Sequence, residues 1–174
     1  MGRNVEIKAR ARDMAALREQ VAALADAGPE VIEQHDTFYP CARGRLKLRR
    51  LGADSGELIH YARHDTAGPR ASDYVIAACA DPAALHRTLS GALGTLGDVR
   101  KRREVWRAGR TRIHLDVVEG LGDFLELEVV LADGEGIDAG EREARRLMAA
   151  LDVADGDLVP VTYLDLLATA GAKV

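Results

Sequence analysis

The stretch that decides the fold is TRIHLDVVEGLGDFLELEVVL, residues 111–131. It predicts a β-hairpin whose arms each have one apolar and one polar face, because successive side chains of a strand point to opposite sides. Gly120 and Gly122 lie between the arms and can take the positive φ that such a turn requires. The apolar positions are Ile113, Leu115 and Val117 in the first arm and Leu125, Leu127 and Val129 in the second.

The polar face of this hairpin carries three carboxylates, Asp116, Glu126 and Glu128. If the two arms pair, these groups converge and repel one another unless a cation or basic side chains lie among them. The alternative is an ordinary half-buried sheet with a solvated polar face. The hairpin alone favours that alternative, so the rest of the chain must decide.

Length and composition limit the classes of protein to consider. The chain has 174 residues, of which 30% are charged and 4% aromatic, with a formal net charge of −4. This length predicts one domain, residues 1–174, with a sizeable core. The negative charge argues against a general nucleic-acid binder with an overall basic surface.

The cysteines and the lengths of the apolar runs indicate the cellular compartment of the protein. Cys41 and Cys79 stand alone, with neither disulfide nor zinc-site spacing, and we interpret them as reduced structural cysteines. No apolar run approaches the ~20 residues of a membrane span. The N-terminus begins directly with a patterned strand instead of the apolar core of a signal peptide. We therefore expect a cytoplasmic protein with no membrane partner.

The whole chain predicts about eight strands and four helices joined mostly by short turns. Short turns imply antiparallel pairing, and closure into a barrel removes the exposed strand edges. The expected fold is therefore α+β, an eight-stranded antiparallel β-barrel with helices packed outside. Outside the hairpin, strands are expected over residues 3–10, 31–39, 44–51, 57–63, 72–78 and 96–107, and helices over about 13–26, 81–92, 138–151 and 161–170.

Charged residues alternate with mostly aliphatic ones along several of these strands. On a barrel with outer helices the aliphatic face points outward to meet the helices, so the charged face lines the lumen. A lumen of cations alone would be destabilised by repulsion and desolvation, whereas carboxylates, a bound anion and a metal ion compensate it. The alternating charged residues are Glu6, Lys8, Lys47, Arg49, Arg63, Lys101, Arg103, Asp116, Glu126 and Glu128.

The mixture of charges in this lumen predicts its ligands. Arginines and lysines at several heights suit a long polyanion such as a triphosphate. The carboxylates suit Mg²⁺ or Mn²⁺, hard ions that prefer oxygen ligands and often bridge protein to phosphate. Taken singly, each basic alternation could be an outward solvated face. The joint occurrence of basic and acidic alternations favours the lumen.

The same residues resemble a known family. The segment Asn4-Val5-Glu6-Ile7-Lys8 resembles the ExExK signature of the CYTH superfamily, the triphosphate tunnel metalloenzymes. That group includes class IV adenylate cyclases, thiamine triphosphatases and inorganic triphosphatases. The resemblance continues in order through segments 44–49, 58–63, 101–103, 113–116, 119–128 and 162–163. Within that group, these segments are most similar to the class IV adenylate cyclase-like branch.

The resemblance implies roles for individual residues. It implies that phosphates are held by Lys8, Lys47, Arg49, Arg63, Lys101 and Arg103. It implies that Mg²⁺ or Mn²⁺ is held by Glu6, Asp116, Glu126 and Glu128, and that Glu6, Lys8, Glu126 and Glu128 act in catalysis. One position departs from the signature, because Asn4 replaces its first glutamate. Asn offers an oxygen without a charge, which puts the occupancy of two metal sites in doubt.

The sequence leaves several functions open. Water attacking the terminal phosphorus would make a triphosphatase, and a ribose 3′-hydroxyl attacking the α-phosphorus would make cyclic AMP and pyrophosphate. A non-catalytic sensor of triphosphate or nucleotide is a second class, kept open by Asn4. A barrel that binds RNA 5′ ends is disfavoured by the acidic charge and the scarce aromatics. The expected partner is a small-molecule triphosphate, and a homodimer is one assembly that the sequence leaves open.

Two further side chains have simpler interpretations. His114 is in phase with Asp116, and we predict a polar lumen group more readily than a proton carrier. Trp106 is the only tryptophan of the chain, and we predict that it packs in the core.

Overall fold

The protein is an eight-stranded antiparallel barrel, as predicted, with helices outside it. A computed structural model describes residues 2–63, 65–66 and 68–171. Around the ring the strands run β1-β5-β4-β3-β2-β6-β7-β8, and β8 pairs with β1 to close it. The strands are β1 (Gly2–Arg10), β2 (Ala27–Tyr39), β3 (Arg45–Arg50), β4 (Gly56–Arg63), β5 (Arg70–Cys79), β6 (Gly97–Ala108), β7 (Thr111–Val118) and β8 (Gly122–Val130).

Four α-helices within the described residues connect or follow the strands. None of them is long and apolar enough to span a membrane. They are α1 (Met14–Leu24), α2 (Pro82–Leu93), α3 (Ile137–Ala150) and α4 (Tyr163–Thr169), with a short 3₁₀ turn at Asp155–Asp157.

Two predicted boundaries differ from the observed ones. Strand β2 begins at Ala27, so Gly28 and Pro29, expected only to stop α1, are already part of the strand. Helix α4 begins at Tyr163 and not at residue 161, because Thr162 caps it. The Thr162 hydroxyl accepts a hydrogen bond from the Asp165 amide at 3.1 Å, and the Asp165 carboxylate accepts one from the Thr162 amide at 2.9 Å. This reciprocal pair satisfies the first free amides of the helix.

The apolar core lies outside the barrel wall, between the strands and the helices. The alternate residues of β1, β7 and β8 that point outward pack with α1 and α3. Trp106 belongs to this core, as predicted. A second apolar cluster joins Phe124 and Val99 to Tyr163 and Leu167 of α4. With the aliphatic face buried against helices, the charged face of each strand is left for the interior of the barrel.

The two ends of the barrel differ. At the end where β1 finishes, the segment before α4 crosses the strand, with Ala9 bridged to Leu158 and the Val159 amide 2.8 Å from the Lys8 carbonyl oxygen. We call this the covered end. At the opposite end β1 starts and β3 and β5 finish, and some apolar side chains of the lumen are exposed there. We call this the open end.

Candidate functional site

The barrel encloses a cavity of about 380 Å³ whose lining combines acids and bases. Every charged residue that the alternation predicted for the lumen lines this cavity except Asp116, which lies behind it in the wall. Asn4 also lines the cavity, so Asn4, Glu6 and Lys8 face the lumen in the register predicted for β1. The predicted residues that line it are Glu6, Lys8, Lys47, Arg49, Arg63, Lys101, Arg103, Glu126 and Glu128.

Asp116 anchors two of the cations in the tunnel wall. It is fully buried and accepts hydrogen bonds from Lys101 at 2.9 Å and from Arg103 at 2.7 and 2.6 Å. The Tyr163 hydroxyl donates a further bond at 2.9 Å. Burial would raise the pKa of Asp116, but the charges of Arg103 and Lys101 outweigh it and hold that pKa well below its usual range. Both of its oxygens are thus engaged by donors, and its role as a metal ligand stays a prediction.

Asp36 plays the same part on β2, two strands away from β7 around the ring, and the sequence analysis missed it. This buried carboxylate of β2 accepts hydrogen bonds from Lys47 at 2.7 Å and from Arg49 at 3.0 and 3.2 Å. Burial opposes its ionisation, but the charges of Arg49 and Lys47 hold the pKa of Asp36 far below its usual range. The sequence signal that could have found Asp36 is its position along β2. Gln34, Asp36 and Phe38 lie on one face of the strand, and all three line the cavity.

Lys8 and Lys47 have lowered pKa values. Burial, opposed by the attraction of Glu126, lowers the pKa of Lys8 to about 7. Burial together with repulsion from Arg49 lowers the pKa of Lys47 to about 8. Each shift reflects a buried cation close to other cations, and a bound anion would oppose it.

Lys8 lies at the covered end of the tunnel. Its ammonium group is 3.8 Å from the centre of the Tyr163 ring and donates a hydrogen bond to the Val161 carbonyl oxygen at 3.2 Å. It is also 3.6 Å from a carboxylate oxygen of Glu126. Tyr163 further lies under Lys101, whose ammonium is 5.0 Å from the ring centre. An aromatic face stabilises such cations, so α4 supplies part of the site.

Glu6 is drawn away from the other predicted metal ligands. Its carboxylate is 2.5 Å from Arg63 and 3.7 Å from Arg70. Arg70, on β5, is a further buried cation that the sequence analysis missed. Although Glu6 pairs in register with Glu128 on β8, its side chain turns toward β4 and β5. Binding a metal beside Glu128 would require Glu6 to leave these arginines.

A group of possible metal ligands forms on the hairpin itself. His114, Glu126 and Glu128 offer ligand atoms that all lie within 4.8 Å of one another. Burial would raise the pKa of Glu128, but the charges of His114 and Arg112 lower it to about 2, so this carboxylate is ionised. Burial, followed by repulsion from Arg103, lowers the pKa of His114, and the charge of Glu128 opposes this shift. Two carboxylates and an imidazole nitrogen are ligands that fit a divalent cation.

The open end of the tunnel carries an aliphatic patch. Ile59 and Ile76 face each other in register on β4 and β5 and line the cavity with Leu51. Ile76 is 48% exposed and Leu51 37% exposed, so this patch reaches solvent. Glu57 and Arg107 line the same end, so the mouth combines this patch with charged side chains.

Comparisons with known proteins agree with this architecture. A family model described as the CYTH domain matches residues 2–163. The chain belongs to the CYTH domain family. Among solved structures, this CYTH domain is similar to the PH1012 protein of Pyrococcus horikoshii, with a TM-score of 0.84, 20% identity, and 94% of this chain and 98% of that one covered. At this identity the likeness shows the fold.

Two further relatives have names that mention an activity. A Methanocaldococcus jannaschii protein named "Putative adenylate cyclase MJ0240" is 34% identical over 68 residues, which span 39% of this chain and only 39% of that protein. The structure of a Hippeastrum protein, described as a putative adenylyl cyclase with a dominant triphosphatase activity, matches with a TM-score of 0.66 and 16% identity, covering 98% of this chain and 97% of that one.

Proposed function

We propose that this CYTH domain is a divalent-metal-dependent enzyme that cleaves a phosphoanhydride bond of a triphosphate bound in the tunnel. One observation carries the proposal. Two pairs of lumen cations are each fixed by a buried aspartate, Lys47 and Arg49 by Asp36 and the pair on β6 by Asp116. The metal-ligand group on β7 and β8 faces the same cavity. Such an arrangement matches a chain of phosphates on one side and a cation on the other.

The anchored cations would bind the phosphates at little cost in reorganisation. In the strand order, β3 lies four places from β8, so Lys47 and Arg49 face Glu126 and Glu128 across the barrel. Because their partner carboxylates already hold them in place, these cations need not reorder when charge develops on the reacting phosphate. Preorganised charge of this kind is the main source of electrostatic catalysis. Lys8, near Tyr163, would neutralise the phosphate closest to the covered end.

The carboxylates of β8 would hold the metal. Glu126 and Glu128 line the lumen two residues apart on one strand, and both are ionised, as a hard divalent cation requires. A bound Mg²⁺ or Mn²⁺ would polarise the phosphorus under attack and offset developing negative charge. Arg103 and Arg112 hold these carboxylates in position through hydrogen bonds of 2.5 and 2.8 Å.

The aliphatic patch at the mouth favours a substrate with an organic end. Inorganic triphosphate would leave Leu51, Ile59 and Ile76 in contact with water, whereas an organic group on the α-phosphate would bury them. The phosphates would then extend from the mouth toward the covered end. Nucleoside triphosphates and thiamine triphosphate both have this form.

Hydrolysis is our first candidate reaction and cyclisation our second. Hydrolysis needs a water molecule and the phosphate cradle, whereas cyclisation also needs a ribose hydroxyl held in line with the α-phosphorus. The triphosphatase activity in the name of the Hippeastrum relative supports hydrolysis, and the adenylate cyclase name of the Methanocaldococcus relative supports cyclisation.

The test is turnover of inorganic triphosphate, thiamine triphosphate and ATP, each with Mg²⁺ and with Mn²⁺. Hydrolysis releases orthophosphate, and cyclisation releases pyrophosphate together with cyclic AMP. We expect an organic triphosphate to be cleaved faster than inorganic triphosphate. Binding of these compounds without turnover of any would contradict an enzyme and identify a sensor.

One substitution connects this activity to the metal ligands. We predict that Glu128→Gln reduces metal-dependent turnover by at least about a hundredfold, because the amide removes a charge that holds the cation. The far-ultraviolet circular dichroism should stay unchanged. Glu143→Gln is the matched control, since Glu143 pairs with Arg146 on the outside of α3. Equal activity of the Glu128→Gln variant and the wild type would refute the metal assignment.

A further inference from the structure

His114 is a buried side chain with an unexplained free nitrogen. It is 4% exposed and lines the cavity, and its Nδ1 atom finds no hydrogen-bond partner among the described residues. Buried polar atoms are nearly always paired, because an unpaired one costs its full desolvation energy. A buried ring nitrogen without a partner therefore calls for a ligand.

The spacing around this nitrogen suits an ion. Nδ1 is 3.8 Å from Oε1 of Glu128 and 3.9 Å from Oε2 of Glu126. Both distances are too long for a direct hydrogen bond. Two ligand atoms that are each about 2.1 Å from one cation lie about 3 to 4.2 Å apart, depending on the angle between them. Both distances from Nδ1 are therefore those expected between two ligands of one divalent cation.

Arginines hold both carboxylates, and that of Glu128 is held through its far oxygen. Arg112 donates to Oε2 of Glu128 at 2.8 Å, and Oε1 of the same carboxylate is the oxygen nearer to His114. Arg103 donates at 2.5 Å to Oε2 of Glu126, the oxygen that also lies 3.9 Å from Nδ1. Hydrogen bonds from outside a metal site orient its ligands in this way. The group is thus more than a cluster of acids, because its imidazole is unpaired and its carboxylates are fixed.

We propose that His114 Nδ1 binds the divalent cation together with Glu126 and Glu128, and that this nitrogen makes the site prefer Mn²⁺ and similar transition-metal ions over Mg²⁺. The inference rests on the metal requirement of the proposed function, although not on the reaction. Mg²⁺ takes oxygen ligands in near-ideal octahedra, whereas imidazole suits first-row transition metals.

The experiment is electron paramagnetic resonance of Mn²⁺ bound to the full chain. Titration measures bound Mn²⁺ as the loss of the free-ion signal, and competition gives the affinity for Mg²⁺. Electron spin echo modulation detects a ¹⁴N nucleus bound to the ion. We expect nitrogen modulation in the wild type and none in His114→Gln, with Mn²⁺ affinity at least about tenfold weaker in the variant. The affinity for Mg²⁺ should change much less.

A matched control is His60→Gln, which removes an exposed histidine on the outer face of β4 and should change neither metal affinity nor modulation. Wild-type Mn²⁺ without nitrogen modulation would overturn the inference, as would equal Mn²⁺ affinity in the His114→Gln variant. If that variant does not fold, ¹⁵N-histidine labelling of the wild type asks the same question, because it must change the modulation. Nitrogen coupling without turnover would support this inference and refute the proposed function. Turnover without nitrogen coupling would support the proposed function and refute this inference.

Discussion

Asp36 and Asp116 each hold two basic side chains against the wall of the tunnel. Their carboxylates stay ionised although they are buried, since the cations around them outweigh the cost of burial. The empty tunnel is therefore a set of compensated ion pairs and not a lining of free positive charge. These cations already have carboxylate partners before a ligand binds. A bound polyanion would give them a second set of hydrogen-bond acceptors.

The Asp36→Asn substitution tests this compensation. It should lower the free energy of unfolding by about 3 to 5 kcal/mol, because it leaves Lys47 and Arg49 buried without their anion. Triphosphate should restore more of this loss than chloride at equal ionic strength. Urea unfolding in the two salts measures both effects. Asp73→Asn, at a half-exposed pair with Arg3, should cost no more than about 0.5 kcal/mol. Equal costs for the two variants would show that Asp36 is not an anchor.

The lowered pKa of Lys47 predicts proton uptake on binding. With a pKa of about 8, about half of the Lys47 side chains are neutral at pH 8 in the empty tunnel. Bound phosphates favour the ammonium form and raise this pKa, so binding at pH 8 should take up protons, with less uptake at pH 6, where Lys47 is already charged. Calorimetry in buffers of different ionisation enthalpy measures the uptake. Lys47→Gln should reduce it by about half a proton, and an unchanged uptake would contradict the shift.

Strand periodicity was enough to predict most individual lumen residues, because an in-phase charge on a half-apolar strand must point away from the helices. It was not enough for Asp36, because residues 34–38 of β2 show no alternation of charged and aliphatic side chains. Nor could it show that Glu6 turns toward Arg63 and Arg70, because that choice depends on strands brought alongside only by closure of the barrel.

At the scale of elements, helix α3 shows how closely the outer layer fits the wall. Gly140 faces β1 and the end of β8, and a Cβ atom there would lie 2.6 Å from Val5 Cγ2 and 2.9 Å from Leu131 Cδ2. The periodicity of residues 138–151 predicted this helix. For α4, Thr162 was the sequence signal that could have shown where the helix starts. Gly28 and Pro29 misled the prediction of β2, because a helix stop and the start of a strand use the same residues.

Gly140→Ala tests this close packing. Alanine has the higher helix propensity by about 1 kcal/mol, yet overpacking against Val5 should make the variant less stable by about 1 to 3 kcal/mol. Gly91→Ala in α2 is the matched control, since no atom lies within 4 Å of the added Cβ. It should stabilise the protein by up to about 1 kcal/mol. Thermal unfolding measures both, and a stabilised Gly140→Ala variant would mean that α3 does not contact the wall so closely.

The whole molecule is a charged tunnel with a covered end and an open end, and the open end carries an aliphatic patch. Antiparallel pairing and closure followed from the short turns and from the two-faced strands. The ring order, in which β5 lies beside β1 and β2 beside β6, could not be predicted from those signals, because it depends on long-range pairing. That order places Lys47 and Arg49 across from Glu126 and Glu128 and thereby makes one site from distant segments.

The central claim is that the tunnel cations bind a triphosphate, and calorimetric titration with inorganic triphosphate in the presence of a metal chelator tests it most directly. We predict saturable binding, one ligand per chain, that is tighter than for orthophosphate at matched ionic strength. Lys101→Gln should weaken it by about 10- to 100-fold, the value of one charge-assisted hydrogen bond, and Arg146→Gln on the outer face of α3 should not. Triphosphate that binds no better than orthophosphate, or equal affinities for the two variants, would contradict the account.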